Sequence, residues 1–278
     1  MEKTKRSLPK VEKQFVSAVW DFYHATGRHD LPWRKTTDPY KIVVSELMLQ
    51  QTQVSRVLPK YKDFLKQFPS VSSLASAPLG DVLKAWQGLG YNRRAKFLWQ
   101  AAQAVVNDRK GKWPKTFLEL KTLPGIGNYT AGAVMNFAYN SPVPLIETNV
   151  RTVYIHHFFR DAENVSDYDL LPLIERTLDT TNPREWNWAL MDYGSHLKAT
   201  IGNVSKKSKT YKKQSNFKES NRYIRGAIIR ALATGPLTKV QLVKRLSEIE
   251  KERLEVQLES LHKELLVSKY TSKFCLPL

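Results

Sequence analysis

The sequence predicts an all-α fold that ends in a small winged-helix-like domain. Three observations carry this expectation. Before residue 198 apolar residues recur at three-to-four spacing, the signature of helices that bury one face. Convincing apolar–polar alternation is absent from that part. After residue 198 the chain turns to lysine and serine, and beyond 219 three helical patterns precede a β-prone tail.

In chain order, residues 11–26 place Phe15, Val16, Val19, Trp20 and Tyr23 on one stripe. Asp38-Pro39 reads as a helix start, and 40–53 follows as a strongly apolar helix. Further helices are expected at 78–87, 93–108, 116–122, 129–139, 149–159, 167–178 and 184–198. Segment 198–218 holds seven lysines, several serines and no acid, the composition of a solvated basic linker or loop. Helices at 221–234, 238–248 and 251–264 then lead to short strands at 266–270 and 273–276. Three such helices closed by a small hairpin resemble a winged helix-turn-helix. The expected division is 1–197, a basic linker 198–218, and 219–278.

A chain of 278 residues can bury one large core and a smaller one. No run approaches 18 uncharged apolar residues, so no transmembrane helix is expected. Residues 1–10 are basic but lack the apolar centre of a secretion signal. The single cysteine, Cys275, excludes an internal disulfide framework and any multi-cysteine metal site, and a reducing, cytoplasmic setting is the default. Forty-four Lys and Arg against 26 Asp and Glu give +18, which points to a polyanion: nucleic acid or an anionic membrane surface. A merely soluble basic protein is the plainer alternative.

Leu123-Pro124-Gly125-Ile126-Gly127-Asn128-Tyr129-Thr130-Ala131 joins two helices through two glycines flanking one aliphatic residue. Glycine permits positive φ and close backbone approach. The turn presents backbone N–H groups at the start of the next helix, where phosphate binds without a side-chain charge. An ordinary αα-turn with a glycine cap fits the same residues. Within a chain of +18 phosphate binding is favoured, through Gly125, Gly127 and Asn128.

This stretch is similar to the helix-hairpin-helix signature of base-excision DNA glycosylases. Leu31-Pro32-Trp33-Arg34, Ser45-Glu46-Leu47-Met48-Leu49-Gln50-Gln51-Thr52-Gln53, Trp86-Gln87-Gly88-Leu89-Gly90-Tyr91 and Met191-Asp192-Tyr193-Gly194 resemble the adenine glycosylase branch, MutY, in the same order. The likeness runs over roughly residues 12–197 and implies two helical lobes.

Breaking an N-glycosidic bond takes an acid to protonate the departing base and an anion to stabilise the sugar cation. Glu46 suits the acid role from its neighbours Ile42, Val43, Leu49 and Gln50, a largely apolar helix face that favours the protonated carboxyl. A glutamate reaching solvent or an arginine is the alternative, and the resemblance favours the acid. Where the family places its sugar-stabilising aspartate, this chain has Glu147, 18 residues after Tyr129. Thr148 is the expected N-cap of the helix that follows, and that helix start favours ionised Glu147. The longer side chain leaves three outcomes: Glu147 acts from a repacked site, activates water, or fails. Retained hydrolysis is favoured.

By the same resemblance Tyr129 stands where bifunctional relatives have lysine, so no Schiff base and no strand cleavage are expected, and Asn149 orders the sugar-stabilising carboxylate. Gln51 and Tyr91 enter the base stack, while Trp33, Arg34 and Asp192 border the base pocket. Trp33 also reads as core, and Asp192 as a cap or salt bridge.

Two parts of the family pattern are missing. Lys198 stands where the first of four cluster-binding cysteines would be, so no iron–sulfur cluster and no other cofactor are expected. The lysine-rich segment, Lys206 and Lys207 included, is expected to contact DNA in its place. The family's C-terminal reader of oxidised guanine is replaced by about 60 residues of apparent winged helix. The expected activity is a monofunctional, metal-free glycosylase, active as a cytoplasmic, nucleoid-associated monomer on double-stranded DNA with adenine opposite guanine or 8-oxoguanine. Excision of another base (thymine or uracil opposite guanine, or hypoxanthine) and non-catalytic lesion binding are the alternatives.

Overall fold

The computed structural model describes residues 8–213, 216–217 and 220–278. The basic residues 1–7, and positions 214–215 and 218 of the lysine-rich segment, lie outside the described residues. The described chain is predominantly helical, and none of its helices is long and apolar enough to cross a membrane. It forms two compact units, one from 8–39, 115–117 and 127–213, the other from 40–114, 118–126 and the described part of 214–278. These units interleave along the chain, whereas the division expected from sequence runs in chain order.

The first unit packs α1 (Lys10–Thr26), α8 (Asn128–Phe137), α9 (Thr148–Phe158), α10 (Asp167–Thr177) and α11 (Pro183–Thr200). Phe15, Val19 and Tyr23 form the buried face of α1, as their spacing predicts. Phe15 lies 5.0 Å from Tyr154 and meets fully buried Trp186 edge-on at 87°. At the rim, Glu12 holds the Arg176 guanidinium at 2.8 Å.

The second unit holds α2 (Pro39–Leu49), α3 (Val54–Gln67), α4 (Val71–Ala75), α5 (Leu79–Ala85), α6 (Arg93–Arg109) and α7 (Phe117–Lys121). The sequence reading misses α3 and α4. Pro59 disguises α3 by removing one ladder donor, and burial of Val57, Tyr61 and Phe64 outweighs that loss.

The C-terminal part folds as α12 (Asn221–Leu232), β1 (Leu237–Thr238), α13 (Lys239–Arg245), α14 (Lys251–Lys263), β2 (Ser268–Tyr270) and β3 (Lys273–Cys275). Its antiparallel strands run β1-β3-β2, with Phe274 of β3 opposite both Leu237 and Lys269. Three helices and this small sheet make the winged-helix-like arrangement. Within the unit it is tied to α5 by the Gly80 N–H donating to the Pro277 carbonyl at 2.7 Å. Lys96 of α6 donates to the Glu264 carbonyl.

Segment 198–213 departs from the expected linker. α11 continues to Thr200, and Val204–Lys207 forms a 3-10 turn. Val165 exchanges two backbone bonds with it, its N–H to the Lys207 carbonyl and its carbonyl to the Lys209 N–H, both at 2.9 Å. Ser205 and Ser208 are buried there. Lysine and serine content signalled solvent, whereas the bridge to Val165 and the Lys207 bond to the Arg160 carbonyl tie the segment to the fold.

Candidate active site

Glu147 and Asn149 form a defined polar constellation in the first unit. Glu147 is itself the N-cap of α9, which corrects the expectation for Thr148. Its Oε1 accepts from the Asn149 N–H at 2.8 Å and the Val150 N–H at 2.9 Å, and its Oε2 from Asn149 Nδ2 at 3.2 Å. Aspartate usually plays this part, and the extra methylene lets the glutamate fold back onto the same amides. Burial pushes its carboxyl above the ordinary carboxylate range, against the pull of those amides and of Arg151. The amides at the helix start favour the ionised form, as expected, but desolvation is larger and the net shift is upward. Arg151 is engaged by Asp167 through bonds of 2.6 and 2.7 Å.

Gly194 fixes this arrangement from behind. A Cβ there would overlap the Asn149 carbonyl and lie 2.7 Å from the Asn149 Cβ. Glycine lets α11 run against the start of α9 and press Asn149 into place. The motif Met191-Asp192-Tyr193-Gly194 was legible, but this role of its glycine was not. Tyr129, half-buried, is the second residue of α8.

Arg34 and Asp192 meet each other. Arg34 grips Asp192 through two bonds of 2.7 and 2.8 Å, and Arg28 adds its backbone N–H at 2.8 Å and its guanidinium. The side chains of Arg34 and Asp192 are 4% and 2% exposed. Those arginines hold the Asp192 carboxyl below the usual range although burial opposes them. The salt-bridge alternative for Asp192 is thus what the structure displays. Trp33 is buried, as its core alternative foresaw, and the Arg34 guanidinium lies over Trp188.

At the hairpin Gly125 has φ 73°, and a Cβ there would overlap the Phe97 side chain. Gly127 has an ordinary φ of −86° as N-cap of α8, and a Cβ there would meet no protein atom within 4 Å. Of the two freedoms that glycine permits, Gly125 uses the positive φ and Gly127 leaves room for close approach. Gly127 and Asn128 are exposed.

In the second unit Glu46 is 5% exposed on α2, flanked by buried Ile42 and Val43. The helix stops at Leu49, four residues short of expectation. Arg94 explains the stop, since its Nη1 takes the carbonyls of Leu47, Met48 and Gln50. Its Nη2 takes those of Leu89 and Gly90. One buried guanidinium thereby fastens two loops, whose Gln51 (φ 54°) and Tyr91 (φ 49°) both adopt the left-handed conformation. Burial lowers the Arg94 pKa to about 10. No motif marked Arg94; its proximity to Trp86–Tyr91 was the available signal.

Lys206 is exposed, whereas Lys207 donates to the Arg160 carbonyl and lies 3.4 Å from Glu163. The structure thus places Glu147, Tyr129, Asn149 and the Arg34–Asp192 pair in the first unit, and Glu46, Gln51 and Tyr91 in the second.

Residues 44–169 match the HhH-GPD superfamily base excision DNA repair protein family. An adenine DNA glycosylase of Buchnera aphidicola (subsp. Baizongia pistaciae) is 35% identical over 185 residues, 65% of this chain and 52% of that protein. One of Mycobacterium tuberculosis is 46% identical over 132 residues, 47% of this chain and 43% of that protein. A solved thermostable thymine-DNA glycosylase superposes with a TM-score of 0.62 at 29% identity, covering 71% of this chain and 92% of that one. The chain spans about half the length of the curated relatives it matches. The matched stretch, 44–169, holds the hairpin, Glu46 and Glu147, and it is this part of the chain that is similar to the HhH-GPD superfamily of base excision DNA repair proteins and to the adenine DNA glycosylases above.

Proposed function

We propose that the chain is a monofunctional DNA glycosylase that hydrolyses the N-glycosidic bond of adenine paired with guanine or 8-oxoguanine in double-stranded DNA. The observation that carries this reading is the fixed carboxylate of Glu147, which keeps a defined position despite replacing the expected aspartate. In the proposed reaction Glu46 protonates the adenine as the C1′–N9 bond breaks and its electron pair leaves with the base. Glu147, oriented by Asn149, faces the developing positive charge at C1′. Water then adds at C1′ and gives its proton to a carboxylate. Tyr129 offers no amine for a Schiff base, so an intact abasic strand is the product.

The hairpin supports DNA as the partner. The fold itself requires glycine at Gly125, while Gly127 abuts open space, which suits close approach of a phosphate. A four-iron cluster does not fit the residues present. Lys198 lies in the last turn of α11, the segment after it offers buried Ser205 and Ser208, and the single thiol, Cys275, lies in β3 of the other unit. In this reading the enzyme is a cytoplasmic monomer, Lys206 supplies phosphate contacts, and 219–278 acts as a module for the opposite strand.

The test is a panel of labelled duplexes carrying A·8-oxoG, A·G, T·G, U·G and hypoxanthine, treated with alkali after incubation. Cleavage confined to the adenine duplexes, and lost in Glu46→Gln, is expected. Cleavage of another duplex alone would reassign the base. Tight binding without any abasic product would leave a lesion-binding protein instead.

A further inference from the structure

The residues flanking Gln51 and Tyr91 open onto a cleft of about 590 Å³, lined from one side by the two loops and α6 and from the other by the C-terminal module. Its polar lining is of the types that read base edges: Gln50, Asn92, Arg93, Asn221, Arg222 and Gln257. Four arginines lie along it against one glutamate. That glutamate, Glu264, is held by Arg225 at 2.7 and 3.0 Å. Arg222 lies over the Tyr91 ring, 5.3 Å from its centre, and donates to its hydroxyl at 2.6 Å.

A winged helix commonly places its third helix against DNA. Here α14 carries Glu252, Glu255 and Glu259 against Lys251, Arg253 and Lys263, so it offers no cationic face. The first helix, α12, carries Arg222, Arg225 and Arg230 and no acid. Its N-terminal turn is the part that lines the cleft.

We propose that this module engages DNA through the first turn of α12, and that Arg222 reads the base opposite the excision site. The chemical class is guanine, whose O6 and N7 accept the two parallel donors of a guanidinium, whereas the N7 of 8-oxoguanine carries a hydrogen and cannot accept. Its 590 Å³ lies within the usual range for a small-molecule or cofactor site. Tyr91 positions the Arg222 guanidinium through its ring and its hydroxyl. The inference rests on the reading of the chain as a DNA glycosylase.

The test measures equilibrium binding of the full chain to duplexes with a tetrahydrofuran abasic analogue opposite guanine, 8-oxoguanine or cytosine. No target base is present, so opposite-strand reading is isolated from excision. The wild type is expected to prefer guanine over both cytosine and 8-oxoguanine by about tenfold, a modest yield for one bidentate pair. Arg222→Lys keeps the charge but loses the fork, and should bring the ratio to within about twofold of unity. Arg222→Ala serves as a second variant, with thermal melting to show that it folds; if it does not, the lysine variant decides. A wild type without preference, or a ratio unmoved in Arg222→Lys, overturns the inference. Adenine excision intact with an unmoved ratio defeats this inference alone. A preference that depends on Arg222, in a protein that excises nothing, defeats only the proposed activity.

Discussion

The Cα of Gly194 lies so near the Asn149 carbonyl that a single methyl group on it would occupy the same space. Asn149 in turn supplies two of the donors that hold Glu147. Gly194→Ala should therefore push the start of α9 away from α11, costing about 1–3 kcal/mol of stability by overpacking. Excision should fall about a hundredfold, since a displacement near one ångström is enough. Chemical denaturation and single-turnover assays read the two effects separately, and an alanine variant with normal turnover would show that Asn149 does not position the carboxylate.

Glu147 leads to a prediction of opposite signs. Its carboxyl titrates above the ordinary glutamate range in the folded chain, so the native state binds the proton more tightly than the unfolded state. Stability from this group is present at low pH and lost as pH rises through the folded pKa. Excision needs the anion and should fall as pH drops through the same point. Glu147→Gln keeps the cap through its carbonyl oxygen and carries no buried charge. It should melt at a higher temperature than the wild type above neutral pH, gain less at pH 5, and be inactive at both. A variant that melts lower at every pH would show that the amides, not burial, govern the group.

The hairpin glycines should separate stability from DNA affinity. Gly125→Ala forces a left-handed residue against Phe97 and should destabilise the protein by about 1–3 kcal/mol. Gly127→Ala meets nothing in the protein, so melting should stay within about 0.5 kcal/mol of wild type while duplex affinity falls. Equal melting losses in both variants would remove the reason to assign Gly127 to phosphate.

Arg94→Ala should uncouple the loops that carry Gln51 and Tyr91. It would strip donors from the carbonyls of Leu47, Met48, Leu89 and Gly90, at a cost of at least about 3 kcal/mol. Lysine retains the charge but not the fork and should rescue only part of that loss. Faster hydrogen exchange confined to residues 47–52 and 89–91 is the expected signature. Uniform loss across the second unit would mean that Arg94 serves the core at large.

What the sequence discloses and what it hides divide along physical lines. α1 and α6 were legible because their apolar spacing is a local property that the fold leaves intact. The end of α2 was not, because the residue that captures its last carbonyls lies more than forty positions away. Thr148 was the conventional cap by residue type, yet Glu147 reaches back over one more bond and takes the amides first. Asp192 could be read as a pocket residue or an ion pair. Only folding brings Arg28 and Arg34 to it from more than 150 residues away.

The corner where Val165 meets Ser208 is closed by peptide groups, with serine hydroxyls bonded alongside it. Such a closure forms as soon as the chain folds, without a loading step, and chelators or oxidants have no grip on it. The one thiol in the sequence, Cys275, has its pKa raised by burial, which makes it a poor target for peroxide. The backbone bonds of Val165 to Lys207 and Lys209 should therefore be equally protected from hydrogen exchange with and without chelator or peroxide.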